Sequence, residues 1–181
     1  MSSIDWKLSS YHFKLPESLI AQHPTPVRDQ SRMLFLDRSK GTVSHRKFSE
    51  IITLLPKNSC LVINNTRVNP VRLPGRRKTG AVIEALLVEE KDMAHWSAFL
   101  RKAGRIKQGE KLEFCGGAIC AVASQRKLGG EWILAFEEPD SLKERLEKFG
   151  LPPLPPYIKR NNANEIQNAE DRERYQTCFA S

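Results

Sequence analysis

From Arg67 to Glu138 the chain repeats one texture, short apolar runs divided by turn residues. The runs are Val82–Val88, Trp96–Leu100, Lys111–Phe114, Ile119–Ala123 and Trp132–Phe136. Between them stand Lys91-Asp92, Lys107-Gln108-Gly109, Gly116-Gly117 and Gly129-Gly130. Paired glycines read as hairpin turns, because glycine reaches the positive φ that tight turns use. Five or six short strands at this spacing predict a small β-barrel, with Trp96 and Trp132 filling its core.

The flanks read differently, so the fold class expected is mixed α and β. Tyr11–Leu15 alternates apolar and polar residues like a short strand. Pro16 opens a helical turn over Glu17–Ala21, and His23–Ser31 is a loop punctuated by Pro24 and Pro26. Arg32–Asp37 is a buried strand, Ser39–Gly41 a turn, and Thr42–Phe48 the returning strand. Ser49 is placed to cap a helix through Ile51 and Leu55 that Pro56 closes. Cys60–Ile63 reads as a second buried strand that delivers Asn64-Asn65-Thr66-Arg67 to its exit. Past the barrel, Asp140 caps a helix from Leu142 to Phe149, which Gly150 ends. Leu151–Pro156 is too rich in proline for helix or central strand and reads as an extended strap. Asn161–Ala169 is polar and reads as a mobile surface loop.

Charge narrows the partners. The 181 residues carry a formal charge of +8 with a pI near 9.5. The stretch from Arg67 to Lys111 holds 11 Lys and Arg against 5 acids, so most of the excess sits in a quarter of the chain. Such clustering fits phosphate-backbone contact, and equally a solvated face. No apolar run approaches the ~18 residues of a membrane span, so no membrane partner is expected. Met1–Ser10 lacks the apolar core of a signal peptide, and four scattered cysteines form no disulfide framework, so a cytoplasmic location is expected.

Cys115 and Cys120 have no matching Cys or His pair, so no metal is expected. P-loop and dinucleotide-binding glycine fingerprints are absent. Two junctions remain as candidate sites. Arg28-Asp29-x-Ser31-Arg32 packs two guanidiniums, a carboxylate and a hydroxyl where a loop enters a strand. It is either an ion pair fixing the loop or part of a cleft. Asn64–Arg67 is either a turn or a set of polar fingers. Arg67, Arg72, Arg76, Arg77 and Lys78 share one acid-free stretch with Gly75 and Gly80. Pro152–Pro156 has the P-x-x-P spacing of an SH3-type ligand, although a strap suits its position better.

Several segments in order resemble one family. They are LPESLIAQHP ending at Pro24, Arg28-Asp29-x-Ser31-Arg32, Asn64–Val68, Arg72-Leu73-x-Gly75-Arg76, Lys78–Gly80, Glu84, Pro153–Ile158, Arg160 and Arg174–Thr177. The set resembles the N-terminal half of the S-adenosylmethionine:tRNA ribosyltransferase-isomerases of queuosine biosynthesis. Ala81, Asn69, Val71 and Cys178 depart from the family's usual residues. Members are roughly twice as long, so the chain reads as a truncated member whose independent activity is not expected.

The resemblance implies an incomplete, discontinuous α/β domain from 1–64 and 152–181, with the barrel of 65–151 inserted. It implies transfer of the ribosyl part of S-adenosylmethionine, a co-substrate, to an aminomethyl-deazaguanine at the tRNA wobble position. Epoxyqueuosine, adenine and methionine are the products, with no permanently bound cofactor. Arg28, Ser31, Arg32, Asn65, Thr66, Arg67 and Tyr157 are then candidates for binding substrate. Asp29, the only carboxylate of the two junctions, is the candidate base or orienter. Arg72, Arg76, Arg77, Lys78 and Arg160 are candidates for holding tRNA. A monomer is expected. The competing reading is a basic β-barrel that binds RNA without catalysis.

Overall fold

The computed structural model describes residues 7–102, 104, 106–160 and 164–180. The chain divides into two compact units, one of Met1–Leu61 with Pro156–Lys159, the other of Val62–Pro155 with Arg160–Ser181.

The first unit is built on a hairpin. Strands β1 (Arg32–Asp37) and β2 (Thr42–Lys47) pair antiparallel from Arg32 opposite Lys47 to Asp37 opposite Thr42. The Asp37 carboxylate closes the turn by accepting from the Ser39 hydroxyl at 2.6 Å and the Ser39 and Lys40 amides at 3.0 and 3.2 Å. These bonds, led by the Ser39 hydroxyl, hold its carboxyl below the usual range. Burial in β1 is partial and alternating, with Met33 and Phe35 half-buried and Leu34 and Leu36 exposed. The helix that follows, α1 (Ile51–Leu54), is entered through a 3-10 turn at Phe48–Glu50. Ser49 lies inside that turn, and Glu50 does the capping by accepting the Lys47 amide at 2.8 Å.

Two expected strands are absent here. Leu8–Tyr11 is a 3-10 turn with irregular chain after it, so Tyr11–Leu15 forms no strand. Cys60–Ile63 is irregular as well, and Leu61, Val62 and Ile63 are all exposed, Val62 at 89%. Strand propensity reports a fit to a half-buried pleated surface, and no described strand offers these residues a ladder.

The second unit contains a closed antiparallel barrel of six strands: β3 (Arg72–Arg77), β4 (Val82–Glu90), β5 (His95–Arg101), β6 (Glu110–Phe114), β7 (Ile119–Arg126) and β8 (Glu131–Phe136). Their order is β3-β4-β5-β8-β7-β6, closed by β3 against β6. Leu73, Ile83, Leu112, Phe114, Ile119 and Leu134 point inward and are essentially inaccessible. Each contributes roughly 1.5–3 kcal/mol by burial. Trp132 is buried with them, while Trp96 packs against the core only partly covered. Register shifts between Leu87 and Glu89 and between Ala123 and Gln125 bend β4 and β7.

β3 carries an Arg-Leu-Pro-Gly-Arg-Arg sequence, a composition that argues against a strand. Gly75 explains it. A Cβ there would lie 2.5 Å from both the Glu113 carbonyl oxygen and Phe114 Cδ1. Glycine is what lets β3 approach β6 and close the barrel.

Helix α2 (Leu142–Phe149) buries Leu142 and Leu146. Asp140 sits inside a 3-10 turn that leads into the helix, where the Ser141 side chain makes no capping bond. Gly150 ends the helix as expected, but with an extended backbone at φ −67° and its amide on Leu146 O at 2.8 Å. The strap then starts from an antiparallel bridge between Arg72 and Leu151, with N–H···O distances of 3.0 and 2.9 Å.

The expected polar loop is largely helix. α3 spans Glu165–Arg174, capped by Asn164, whose side-chain oxygen accepts the Gln167 amide at 3.0 Å. Residues 161–163 of that expectation lie outside the described residues. α3 lacks an apolar stripe, and Ile166 is exposed. Polar contacts tie it down instead. Arg160 donates to both Asp171 carboxylate oxygens, at 2.7 and 3.0 Å, and Arg172 donates to the carbonyls of Lys148 and Gly150 at 3.0 and 2.8 Å. Just beyond the helix, Gln176 exchanges two bonds with the Val68 backbone, at 2.8 and 2.7 Å.

Candidate functional site

The second unit holds a cleft of about 860 Å³, within the size range of ligand pockets. β3 contributes Gly75 and Arg76, the β6–β7 turn Cys115, α2 Lys148, and α3 Asn168 and Arg172. Glu113 and Glu165 also border it, so its charge is mixed. Arg172 faces the C-terminal carbonyls of α2, where a cation is favoured. Its Nε is buried with no acceptor among the described residues. Lys148 lies 5.1 Å from the Phe149 ring, and Arg76 donates to the Gly80 carbonyl at 3.2 Å.

Cys115 is the one thiol in the cleft wall. Its φ of 53° is uncommon for a residue with a side chain, and Gly116 and Gly117 continue the turn at 71° and 91°. The Cys115 thiol donates to Phe149 O at 3.4 Å. Burial pushes its pKa up to about 11, with the nearby Arg172 charge acting the other way. It is therefore a thiol at neutral pH and a poor nucleophile. Iodoacetamide at pH 8 should label exposed Cys60 and Cys178 at least about tenfold faster than Cys115. Labelling of Cys115 should accelerate only as the pH approaches 11, read by mass spectrometry of its peptide.

Most of the arginines proposed to hold tRNA are committed within the fold. Arg72 donates to Pro152 O at 3.1 Å and to Glu84 at 3.2 Å. Arg77 grips Glu110 through Nε and a terminal nitrogen, at 2.5 and 2.8 Å, which raises the arginine pKa and lowers that of Glu110. Arg160 is spent on Asp171, with side chains only 4% and 7% exposed. Arg76 and Lys78 are the two of the set that stand exposed.

The two junctions fall in different units. Arg28, Asp29 and Gln30 form an exposed 3-10 turn. The Ser31 hydroxyl donates to Arg28 O at 2.8 Å and lies 3.2 Å from Thr25 Oγ1, so it organises the turn. Arg32 opens β1 opposite Lys47. In the same unit the Tyr157 carbonyl accepts from Gln22 at 3.0 Å, and its ring is exposed. The other junction lies in the second unit, where Asn64 Oδ1 accepts the Thr66 amide at 2.9 Å in an Asx turn. Asn65 is exposed, and Arg67 pairs with Glu147 at 2.9 Å on the surface, a contact worth little to stability.

Lys148, Asn168 and Arg172 carry no sequence motif and meet only through the packing of α2 and α3 on the barrel. No group of His, Cys, Asp and Glu able to hold a metal occurs among the described residues. No described helix is long and apolar enough to cross a membrane.

The chain is 40% identical over 174 residues to the S-adenosylmethionine:tRNA ribosyltransferase-isomerase of Staphylococcus haemolyticus, a match over 96% of this chain and 49% of the relative. The protein of the same name from Staphylococcus saprophyticus is 39% identical over the same shares. The chain thus spans about half the length of the curated relatives it matches. A crystal structure of S-adenosylmethionine tRNA ribosyltransferase from Thermotoga maritima is 35% identical, with a TM-score of 0.39 over 77% of this chain and 47% of that one. The family profile described as "Queuosine biosynthesis protein" matches residues 8–181, and the chain belongs to that family.

Proposed function

We propose that this chain is the first part of a cytoplasmic S-adenosylmethionine:tRNA ribosyltransferase-isomerase. The enzyme would move the ribosyl group of S-adenosylmethionine to aminomethyl-deazaguanine at the tRNA wobble position, giving epoxyqueuosine, adenine and methionine. The observation that carries the reading is 40% identity across 96% of the chain to a relative of that name. S-adenosylmethionine serves as co-substrate, and the scheme needs no resident cofactor.

In this reading 1–64 and 152–181 belong to a discontinuous catalytic domain, into which the barrel of 65–151 is inserted. The exposed Leu61, Val62 and Ile63 support it, as an apolar segment that further strands of the domain would cover. Asp29 stays the candidate base or orienter, beside Arg28, Ser31, Arg32, Asn65, Thr66, Arg67 and Tyr157 as substrate contacts. Arg76 and Lys78 stay as tRNA contacts, while Arg72, Arg77 and Arg160 hold the scaffold on which those contacts stand. The protein would act as a monomer.

The test combines the chain with the second half of the S. haemolyticus relative, S-adenosylmethionine and tRNA bearing the aminomethyl-deazaguanine. Adenine should appear by chromatography with that tRNA and stay at background with unmodified tRNA. Equal release without tRNA counts against the reading, as does its absence from a soluble assembly of both halves.

A further inference from the structure

The barrel is electrically lopsided, and the asymmetry follows from its topology. Strand order and direction put the β3–β4, β5–β6 and β7–β8 connections at one end, and the β4–β5 and β6–β7 turns at the other. The first end collects Lys78, Arg101, Lys102, Lys107, Arg126 and Lys127. All but Lys127 are exposed.

These cations have little to neutralise them. Glu110 at this end is held by Arg77, and Glu84 by Arg72. Arg101 reaches Glu84 only at 3.7 Å and is 74% exposed. Among the described residues Glu131 is a further carboxylate there, and Arg126 lies 6.0 Å from the Trp132 ring. Lys127 contributes weakly to lowering the Glu89 carboxyl, whose main partner is Lys91.

The opposite end carries acids, several of which face a cation. Glu89 pairs with Lys91, and Asp92 shares a hydrogen bond with His95 Nδ1 at 2.9 Å. Glu90 pairs with Lys143 at 3.2 Å, Glu137 with Lys111 at 2.9 Å, and Glu138 with Arg145. Acids and cations are therefore mixed at one end, while the other carries an excess of cations. Exposed cations on three turns of one end, in excess of the acids there, suit a polyanion with a charge on every residue. Leu128, fully exposed at the tip of the β7–β8 turn, adds an apolar surface beside them.

We propose that this turn-bearing end of the barrel takes RNA by its phosphates. The inference rests on the tRNA reading above and deepens it. The backbone contact moves from the arginines of β3, which mostly serve the fold, to the turns around Lys102, Lys107 and Lys127.

The test compares two double variants of the full chain with equal charge change, Lys102→Glu/Lys107→Glu and Lys91→Glu/Lys143→Glu. Binding of a fluorescent tRNA transcript is followed by anisotropy from about 50 to 200 mM salt, with circular dichroism confirming the fold. The first pair should weaken binding about tenfold or more and lower the log–log salt slope by about 1.5 to 2. The second should stay within about threefold of wild type, at an unchanged slope.

Equal loss in both pairs would reduce the effect to net charge and overturn the proposal. Tight binding by wild type and both variants would put the RNA elsewhere, overturning the proposal while the tRNA reading stands. A wild-type chain that binds no tRNA would defeat both. Poly-glutamate bound as tightly as tRNA would mark an acidic protein as the partner and overturn it as well.

Discussion

Asp171→Ala should destabilise the second unit by about 3–5 kcal/mol. Arg160 and Asp171 are almost wholly out of water and joined by two short bonds, at 2.7 and 3.0 Å. Removing the carboxylate takes the main partner from a buried guanidinium, which is far costlier than the pair itself is valuable. The double variant Arg160→Met/Asp171→Leu should recover most of the loss, because an apolar pair of similar volume carries no such charge. Urea unfolding of the three proteins gives the comparison. A single variant within about 1 kcal/mol of wild type, or a double variant worse than the single, would contradict the assignment.

Gly150→Ala should cost about 3 kcal/mol or more. The backbone is not the cause, since φ is −67° and any residue adopts it. Space is the cause. The added Cβ would sit 2.0 Å from Pro70 O and 2.6 Å from Leu146 O, both backbone atoms that cannot rotate away. Relief requires moving the chain that enters β3, and with it the Arg72–Leu151 bridge that fixes the strap. Gly80→Ala is the matched control. Its φ is +82° and nothing lies within 4 Å of the new Cβ, so it should lose only about 1–2 kcal/mol. Thermal and urea melts that ranked Gly80→Ala as the worse change would refute the steric account.

The barrel was legible because its strands alternate and its turns are marked by glycine. The same cues failed where a residue's role depends on a distant neighbour. β3 was hidden by Pro74 and Gly75, and Gly75 makes sense only beside Phe114 of β6. α3 was hidden because its Glu-, Asn- and Arg-rich sequence has no apolar period. Its anchors are Arg160 and the end of α2, both outside the helix. Leu61–Ile63 erred the other way, with strand propensity but no described ladder to join.

Among the candidate site residues, composition marks a basic stretch but does not separate its paired arginines from its exposed cations. A buried arginine facing a glutamate and an exposed lysine on a turn look alike in sequence. Register and burial distinguish them, giving Arg72 and Arg77 to the fold and leaving Lys78 with the turn cations. The cleft residues Lys148, Asn168 and Arg172 had no signal at all, being joined only by tertiary packing.

The central claim is that the turn-bearing end of the barrel meets RNA. Photo-cross-linking of a thiouridine-substituted tRNA to the chain, with the sites mapped by mass spectrometry, tests it most directly. The account predicts adducts at or beside Lys78, Lys102, Lys107 and Lys127. Adducts concentrated near Lys91, His95 and Lys143 at the opposite end would contradict it.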